Sequence, residues 1–549
     1  MKKVFLLLIA IYVMNVANAQ TPNWLWAKSA GGTGNDGANL VAVDASGNAF
    51  VVGIFSSTTI TFGSTILTNA GGYDIFLAKY DASGNVLWAK NAGGINDDEA
   101  NSVAVDTLGN IYITGFFSSP TITFGSTTLT NVGDTNSSPG QDIFLAKYDA
   151  AGNLLWAKSA GGISYDRAIS VAVDASGNAY LTGGYNSPTI SFGSDTLINV
   201  SSSEDIFLAK YDVAGNVLWA KSAGGTNVDR AISVGVDALG NSSITGFFLS
   251  PTLTFGSTTL MNAGGTSSTP GQDIFLAKYD AAGNVLWAKS AGGTSDDIVS
   301  SIAVDALGSI CITGYFSSTT INFGTDTLTN AGDYDIFLTK YDTVGNVLWT
   351  KSAGGTSIDM ASSVRMDVLG NTYVTGVFEG STLAFGSIVL DSAGIFLVKY
   401  DAEGIALWAK RVSGSTCDLW ISIALDATGN TYMSGSFSNN IPLTFGSTTL
   451  TNAGSCDIFL AKLSSVVGIK ENSLNNISVY PNPTKDNLTI ETNSTKEQRL
   501  EIINLIGQTI YTIYINKKAT INTSVFANGV YILKLSSDKE TVVRKFVKE

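Results

Sequence analysis

Carboxylates at a fixed interval are the first residues in this chain whose type and spacing could do chemistry. An Asp recurs eight residues before the Asp that closes each Val-Ala-Val-type stretch: Asp36, Asp98, Asp166, Asp229, Asp297, Asp359 and Asp418. A ring of hard oxygens at the mouth of a channel could hold a cation such as Ca²⁺. A short acceptor in a glycine loop also caps local backbone N–H groups. The dense D-x-D-x-D-G spacing of calcium loops is absent, so capping is the leading expectation and no cofactor is required. A second series, Asp44, Asp106, Asp174, Asp237, Asp305, Asp367 and Asp426, opens Asp-x-x-Gly-Asn-type turns, where Asp serves turn geometry. Closely set carboxylates can hydrolyse glycosides. Seven equivalent copies, however, lack the divergent environments that separate an acid from a base. The chain has no His, so the commonest general base and metal ligand is missing, and no Ser-His or Cys-His pair can form.

Departures from the repeat carry more functional information than the repeat itself. Arg365 stands where the other copies place Ala or Gly, and Trp420 stands where Ala38, Ala100 and Ala168 do. Glu379 and Arg411 break the pattern nearby, and all four belong to the last two copies. An exposed Trp with charged neighbours can stack on a sugar ring, so a glycan or protein ligand is expected here. The alternative is drift, with Trp420 packed into a seam and Arg365 paired to a carboxylate. Cys311 replaces a strand Tyr and reads as a buried small hydrophobe. Cys417 and Cys456 each precede a repeated Asp. They could pair in an oxidising setting, although the strands they flank are not adjacent.

These residues are positioned by a repeated hairpin, typified by Asp273 to Gly293, DIFLAKYDAAGNVLWAKSAGG. Two strands flank the turn Asp280-Ala-Ala-Gly283-Asn284, and both are apolar on both faces, so each is expected to be sandwiched between neighbours. The tryptophans of its second strand fall at Trp26, Trp88, Trp156, Trp219, Trp287, Trp349 and Trp408, at intervals of 62, 68, 63, 68, 62 and 59 residues. That period suits a propeller blade with a modest insertion. A second hairpin follows each copy, and a third segment such as Thr121–Asn131 reads as a short extra hairpin projecting from one face. The Val-Ala-Val stretches carry the smallest side chains and suit the crowded axis, whereas the Trp strand suits the splayed rim. The first copy opens with an outer strand, Trp24 to Lys28, that lacks a partner, and the last ends with Asp457 to Lys462 lacking its outer strand. Pairing the two would close the ring and remove both open edges.

The remaining segments concern export. Met1-Lys2-Lys3, the apolar run Val4 to Val13 and Ala17-Asn18-Ala19 form a secretory signal, with cleavage between Ala19 and Gln20. No later stretch offers eighteen unbroken apolar residues, so no integral membrane segment is expected. Residues 20–476 hold 19 Lys+Arg against 38 Asp+Glu, a net of −19, while 477–549 hold 10 against 7, a net of +3. Two modules follow, and the acidic one repels nucleic acid. The order expected is a signal peptide over 1–19, a propeller over 20–463, a linker over 464–476 and a C-terminal module over 477–549.

The pattern GG-x-x-x-D, VAVD-x-x-GN-x-Y-x-TG and DIFLAKYD-x-x-GN resembles the seven-bladed β-propeller repeat proteins found on and outside bacterial cells. That resemblance implies an all-β propeller of four-stranded blades, and no single activity. The C-terminal module is similar to the sorting domain of the type IX secretion system of Bacteroidetes-type bacteria. The match lies in Tyr480-Pro481-Asn482-Pro483, the Gly529-x-Tyr531-x-x-Lys534 strand and the basic final strand with Lys545 and Lys548. A small β-sandwich is expected there. The resemblance implies that residues 477–549 engage the secretion machinery, which carries a folded propeller from the periplasm to the cell surface or the medium; a monomer is expected. A binding module leads the readings of function. A carbohydrate-active enzyme working through carboxylates, or a matrix protein without a specific ligand, are the alternatives.

Overall fold

The computed structural model describes residues 22–549 apart from 136–137, 200, 265–269, 418, 439–440, 466–476, 493–495, 505–508 and 537–540. The expected signal peptide with its Ala19–Gln20 junction, most of the expected linker, and Asp418 lie outside the described residues. Every regular element described is a β-strand. The chain divides into a compact unit Pro22–Val466 and a second one that contains Val467–Glu549.

The larger unit is a ring of seven four-stranded antiparallel sheets. In the first blade, Asp36–Val43 pairs with Ala49–Phe55, which pairs with Asp74–Tyr80, which pairs with Val86–Ala92. The next five blades repeat this meander in chain order from axis to rim. A bulge sits between Ala38 and Leu40 in the innermost strand and recurs at the matching site of the following five blades. It re-aims the intervening side chain towards the axis.

The seventh blade is assembled from both ends of the unit. Ser422–Leu425, Thr431–Ser438 and Cys456–Leu463 come from the C-terminal side, and Trp24–Ala30 pairs with the last of them as the outer strand. Trp26 lies opposite Lys462 and Ala30 opposite Ile458. The Ser464 N–H then donates to the Asn23 carbonyl at 2.9 Å. All-β closure through this clasp is the architecture that the unpaired ends imply.

The outer hairpin departs from expectation in one respect. Its first strand, Asp273–Tyr279, is buried throughout, but its second, Val285–Ala291, is buried only in part, and Leu286 is 52% exposed. Blades splay apart towards the rim, so the outermost strand meets a neighbour on one face and water on the other. The face that is covered explains the turn. The Trp26 indole donates to the Ala82 carbonyl of the next blade at 3.2 Å. A Cβ on Gly84 would stand 3.0 Å from that indole, and its φ is 83°, within the 79–86° of the matching turns. Only glycine serves both demands. The small extra hairpin also differs from a free projection: Ile60, Phe62 and Leu67 of Thr59–Phe62 and Thr65–Thr68 are buried, with Phe62 5.1 Å from the Phe76 ring.

The C-terminal unit is a β-sandwich of a three-stranded and a four-stranded sheet. Leu488, Ile490, Leu500, Ile502, Leu533 and Phe546 form its core. Tyr531 stacks on Phe546 with centroids 5.5 Å apart, and its hydroxyl donates to the Ala527 carbonyl at 2.8 Å. Tyr480-Pro481-Asn482-Pro483 is tied to the last strand: the Val547 N–H donates to Asn482 Oδ1 at 2.8 Å, and Asn482 Nδ2 donates to the Lys545 carbonyl. Lys534 pairs with Glu501 at 3.6 Å, Lys545 is exposed, and Lys548 is buried with its ammonium on the Glu549 carbonyl.

Candidate functional site

The repeated carboxylates face the seams between blades rather than the channel. Asp36, Asp98, Asp166, Asp229, Asp297 and Asp359 are fully buried. Asp36 Oδ2 accepts the Gly32 N–H and the Ser57 hydroxyl, both at 2.7 Å, while Oδ1 accepts the Ser57 N–H at 3.2 Å. Ser119, Ser187, Ser250 and Ser318 donate in the same way in the following blades. The sixth copy differs, because Glu379-Gly380 stands where the others carry a serine. Asp359 keeps the Gly355 N–H at 2.8 Å, but its Oδ1 has no hydrogen-bond partner. Glu379 itself is exposed, and its charge helps to raise the Asp359 carboxyl. Among the described residues no group of three acidic, His or Cys side chains converges as a cation site. The Asp44-type residues close their turns, with Asp44 Oδ1 accepting the N–H groups of Ser46 and Asn48 at 2.9 Å.

A carboxylate series that sequence reasoning passed over completes the seams. The first residue of DIFLAKYD, at Asp74, Asp142, Asp205, Asp273, Asp335 and Asp457, presses against the first glycine of the facing Gly-Gly pair. A Cβ on Gly93 would come within 2.0 Å of Asp74 Oδ1. All six leave Oδ1 without a hydrogen-bond partner. Five of them feel an Asp of the first series across a seam, Asp74 with Asp98, Asp142 with Asp166, Asp205 with Asp229, Asp273 with Asp297 and Asp457 with Asp36, and at the remaining seam Asp359 feels Asp335. Burial is the main cause of the raised carboxyls, reaching about 6 at Asp74, Asp98 and Asp229 and about 7 at Asp205 and Asp273. Gly394 takes this place in the sixth copy, and Arg411 reaches towards it, donating from Nε to the Ala393 carbonyl at 3.0 Å. The DIF signal was legible as a strand start, but nothing in its spacing marks a buried acid.

Cys417 and Cys456 form a disulfide in the seventh blade, and Cys311 is buried. Burial also raises the Cys311 thiol, to about 12.

The innermost strands of all seven blades enclose an axial cavity of about 820 Å³. Arg365 and Trp420 both line it, whereas Glu379 and Arg411 do not. Trp420 sits towards the end where the Asp36-type seams lie and is 52% exposed. Arg365 lies nearer the opposite end, two residues before the turn Asp367. Its Nη1 donates to the Val364 carbonyl at 2.8 Å, no carboxylate lies within ion-pair distance of it among the described residues, and burial pulls the guanidinium down to about 10. In two blades the residue after the seam Asp adds charge at the Trp420 end. Glu99 has a carboxyl raised by burial, and Arg230 is held by Glu204 through its Nε at 2.6 Å and its Nη2. The signal for these two was the variable position after the invariant Asp, which reads Gly37, Glu99, Arg167, Arg230, Ile298 and Met360 across six copies.

Seven blades around one axis, with a separate C-terminal sandwich, define a propeller carrying an appended module. Comparison with known proteins agrees: residues 478–549 match the secretion system C-terminal sorting domain family, and residues 87–115 match the β-propeller repeat family. The chain is therefore a β-propeller repeat protein that ends in a secretion-system sorting domain, and the tail marks it for secretion or the cell surface. It is 25% identical to an uncharacterized WD repeat-containing protein of Acanthamoeba polyphaga mimivirus, over 81% of this chain and 38% of that protein. It is also 25% identical to the regulatory protein FlaEY of Caulobacter vibrioides, over 53% of this chain and 31% of that protein. The chain thus spans about a third of the length of these relatives. Among solved structures it is similar to the extracellular domain of a hybrid two-component system from B. thetaiotaomicron, at 10% identity and a TM-score of 0.17, covering 94% of this chain and 98% of that one. A Synechocystis apocarotenoid oxygenase gives 9% identity and a TM-score of 0.35, covering 80% of this chain and 93% of that one. At such scores neither superposition carries an argument about fold or activity. Among the described residues no helix is long and apolar enough to cross a membrane.

Proposed function

We propose that the propeller is a secreted or surface-displayed binding module whose ligand enters the axial cavity at the Trp420 end. The observation that carries this reading is that two residues unique among the repeats, Arg365 and Trp420, line one cavity although they stand 55 positions apart in the sequence (420 − 365). An exposed indole that lines the same cavity as Glu99 and Arg230 offers a stacking face in a polar setting, which suits a glycan or a protein loop. On a glycan array, wild-type protein binds at least one class of carbohydrate and Trp420→Ala loses that signal at least tenfold. Equal binding by both proteins would overturn the assignment of the mouth.

The enzyme reading finds little support in the geometry. Glycoside hydrolysis needs two carboxyl groups flanking the bond, and Glu99 is the one carboxylate among the described residues that line the cavity. A purely structural matrix protein remains the outcome if no ligand is retained.

Export is proposed to run through the type IX route, with residues 477–549 as the recognised element. Deleting 477–549 leaves the propeller in the periplasm, measured by cell fractionation with the full-length protein alongside. A truncated propeller found outside intact cells would refute the role of the tail.

A further inference from the structure

The axial cavity holds a cation without a counter-charge. Arg365 is the sole described guanidinium there without a carboxylate, since Arg230, the other arginine on the wall, is bound by Glu204. A guanidinium has five N–H donors, and the Val364 carbonyl takes one of them. Arg365 is half-buried, so part of its hydration is lost with no counter-charge supplied in return. In the corresponding places Ala42, Ala104, Ala172, Ala303 and Ala424 show that the fold does not need a long side chain here.

Hydroxyl groups converge on the same stretch of strand. Ser102, Ser170, Ser233, Ser301, Ser363 and Ser422 form a collar around the axis, and each accepts a backbone N–H from the next blade at 3.1–3.3 Å. A serine oxygen that accepts in this way keeps its own proton to donate. Ser301 Oγ takes the Val364 N–H at 3.2 Å, so it stands on the residue whose carbonyl Arg365 holds. Ser363, two residues before Arg365, lies on the same side of its strand.

We propose that Arg365 and the adjoining serine hydroxyls form a receptor for an oxyanion, the carboxylate or sulfate of an acidic sugar or a free inorganic anion. This deepens the binding-module reading and rests on it for the cavity being open to ligand. A planar guanidinium pairs with two oxygens of such a group at once, and hydroxyl donors complete its coordination.

The test uses the full mature chain and three probes, sodium glucuronate, sodium sulfate and glucose, each titrated calorimetrically at an ionic strength held constant with chloride. Wild type binds glucuronate or sulfate, and Arg365→Ala, which installs the residue of five other copies, binds at least tenfold more weakly while unfolding at the same temperature or higher. Arg365→Lys retains part of the affinity. Glucuronate binding without sulfate binding identifies the acidic sugar, and sulfate alone identifies the inorganic ion. Anion affinity equal in wild type and Arg365→Ala, or no anion binding by wild type, overturns the site. Array binding of neutral glycans that Trp420→Ala abolishes and Arg365→Ala spares would refute the anion receptor and leave the binding module standing. An Arg365-dependent anion titration with a silent array would do the reverse.

Discussion

The propeller unfolds at a higher temperature at pH 5 than at pH 8. The cause is the set of carboxylate pairs across the seams, whose members are buried and, at Asp74, Asp142, Asp205, Asp273, Asp335 and Asp457, leave one oxygen without a donor. The folded-state values of Asp74, Asp98, Asp229 and Asp457 are raised above the ordinary 3.8 to about 6, and those of Asp205 and Asp273 to about 7. The folded chain therefore holds these protons more tightly than the unfolded chain does. Stability from this source is fully present below about pH 4 and is lost as the pH climbs through 6 and 7. A hundredfold difference in proton affinity corresponds to about 2.7 kcal/mol, so a carboxyl raised to about 6, such as Asp74 or Asp229, withholds stability on that order at pH 8. The opposite sign applies to the exposed turn residues Asp81, Asp149, Asp212, Asp280 and Asp342, which are held below the usual range. Their contribution is present above pH 4 and is lost in stronger acid, which places the optimum near pH 4–5. Thermal unfolding followed by circular dichroism across this range checks the sign. Asp273→Asn, a neutral mimic of the protonated acid, should raise the midpoint at pH 8 and leave it unchanged at pH 5. A midpoint that falls between pH 8 and pH 5 would show that the seam carboxyls titrate normally.

Deleting residues 20–30 lowers the unfolding temperature by on the order of 10 °C or more, the second large effect expected. The deleted segment supplies the outer strand of the seventh blade, the buried side chains Ala27 and Ala30, and two indoles that pack within that blade, one of which also reaches the first blade. Trp24 packs edge-on to Phe445 at 4.8 Å, and Trp26 to Tyr432 at 5.9 Å while also hydrogen-bonding across the seam to Ala82. Its loss leaves Cys456–Leu463 as an open edge with unpaired backbone groups, which also favours self-association. Differential scanning calorimetry of the truncated and intact proteins measures the effect. An unchanged midpoint would mean that the ring does not depend on its clasp.

Architecture was legible because each blade repeats the same text, so that a missing half-hairpin at Trp24 and another at Asp457 could be matched. The seams were not legible to the same degree. Whether Asp36 points into a channel or between two sheets depends on the rotation of one strand against the neighbouring blade, and no spacing within a single copy records that rotation. Asp74 was hidden for a different reason: it opens a strong strand, and it is covered by the glycine pair that follows the outer strand Val86–Ala92. Arg365 and Trp420 could be singled out because they depart from a repeated background. The split of Glu379 and Arg411 away from the cavity followed from side-chain direction at the ends of the second and outer strands.

The clasp joins Asn23 to Ser464 across 441 positions, which has a consequence for incomplete chains. At ordinary rates of synthesis, the first strand waits on the order of tens of seconds for its partner. The partner is also the last propeller strand before the sorting domain begins. A chain cut short anywhere before Leu463 therefore lacks both a closed ring and the sorting domain, so under the proposed export route the order of synthesis itself keeps defective propellers from the surface.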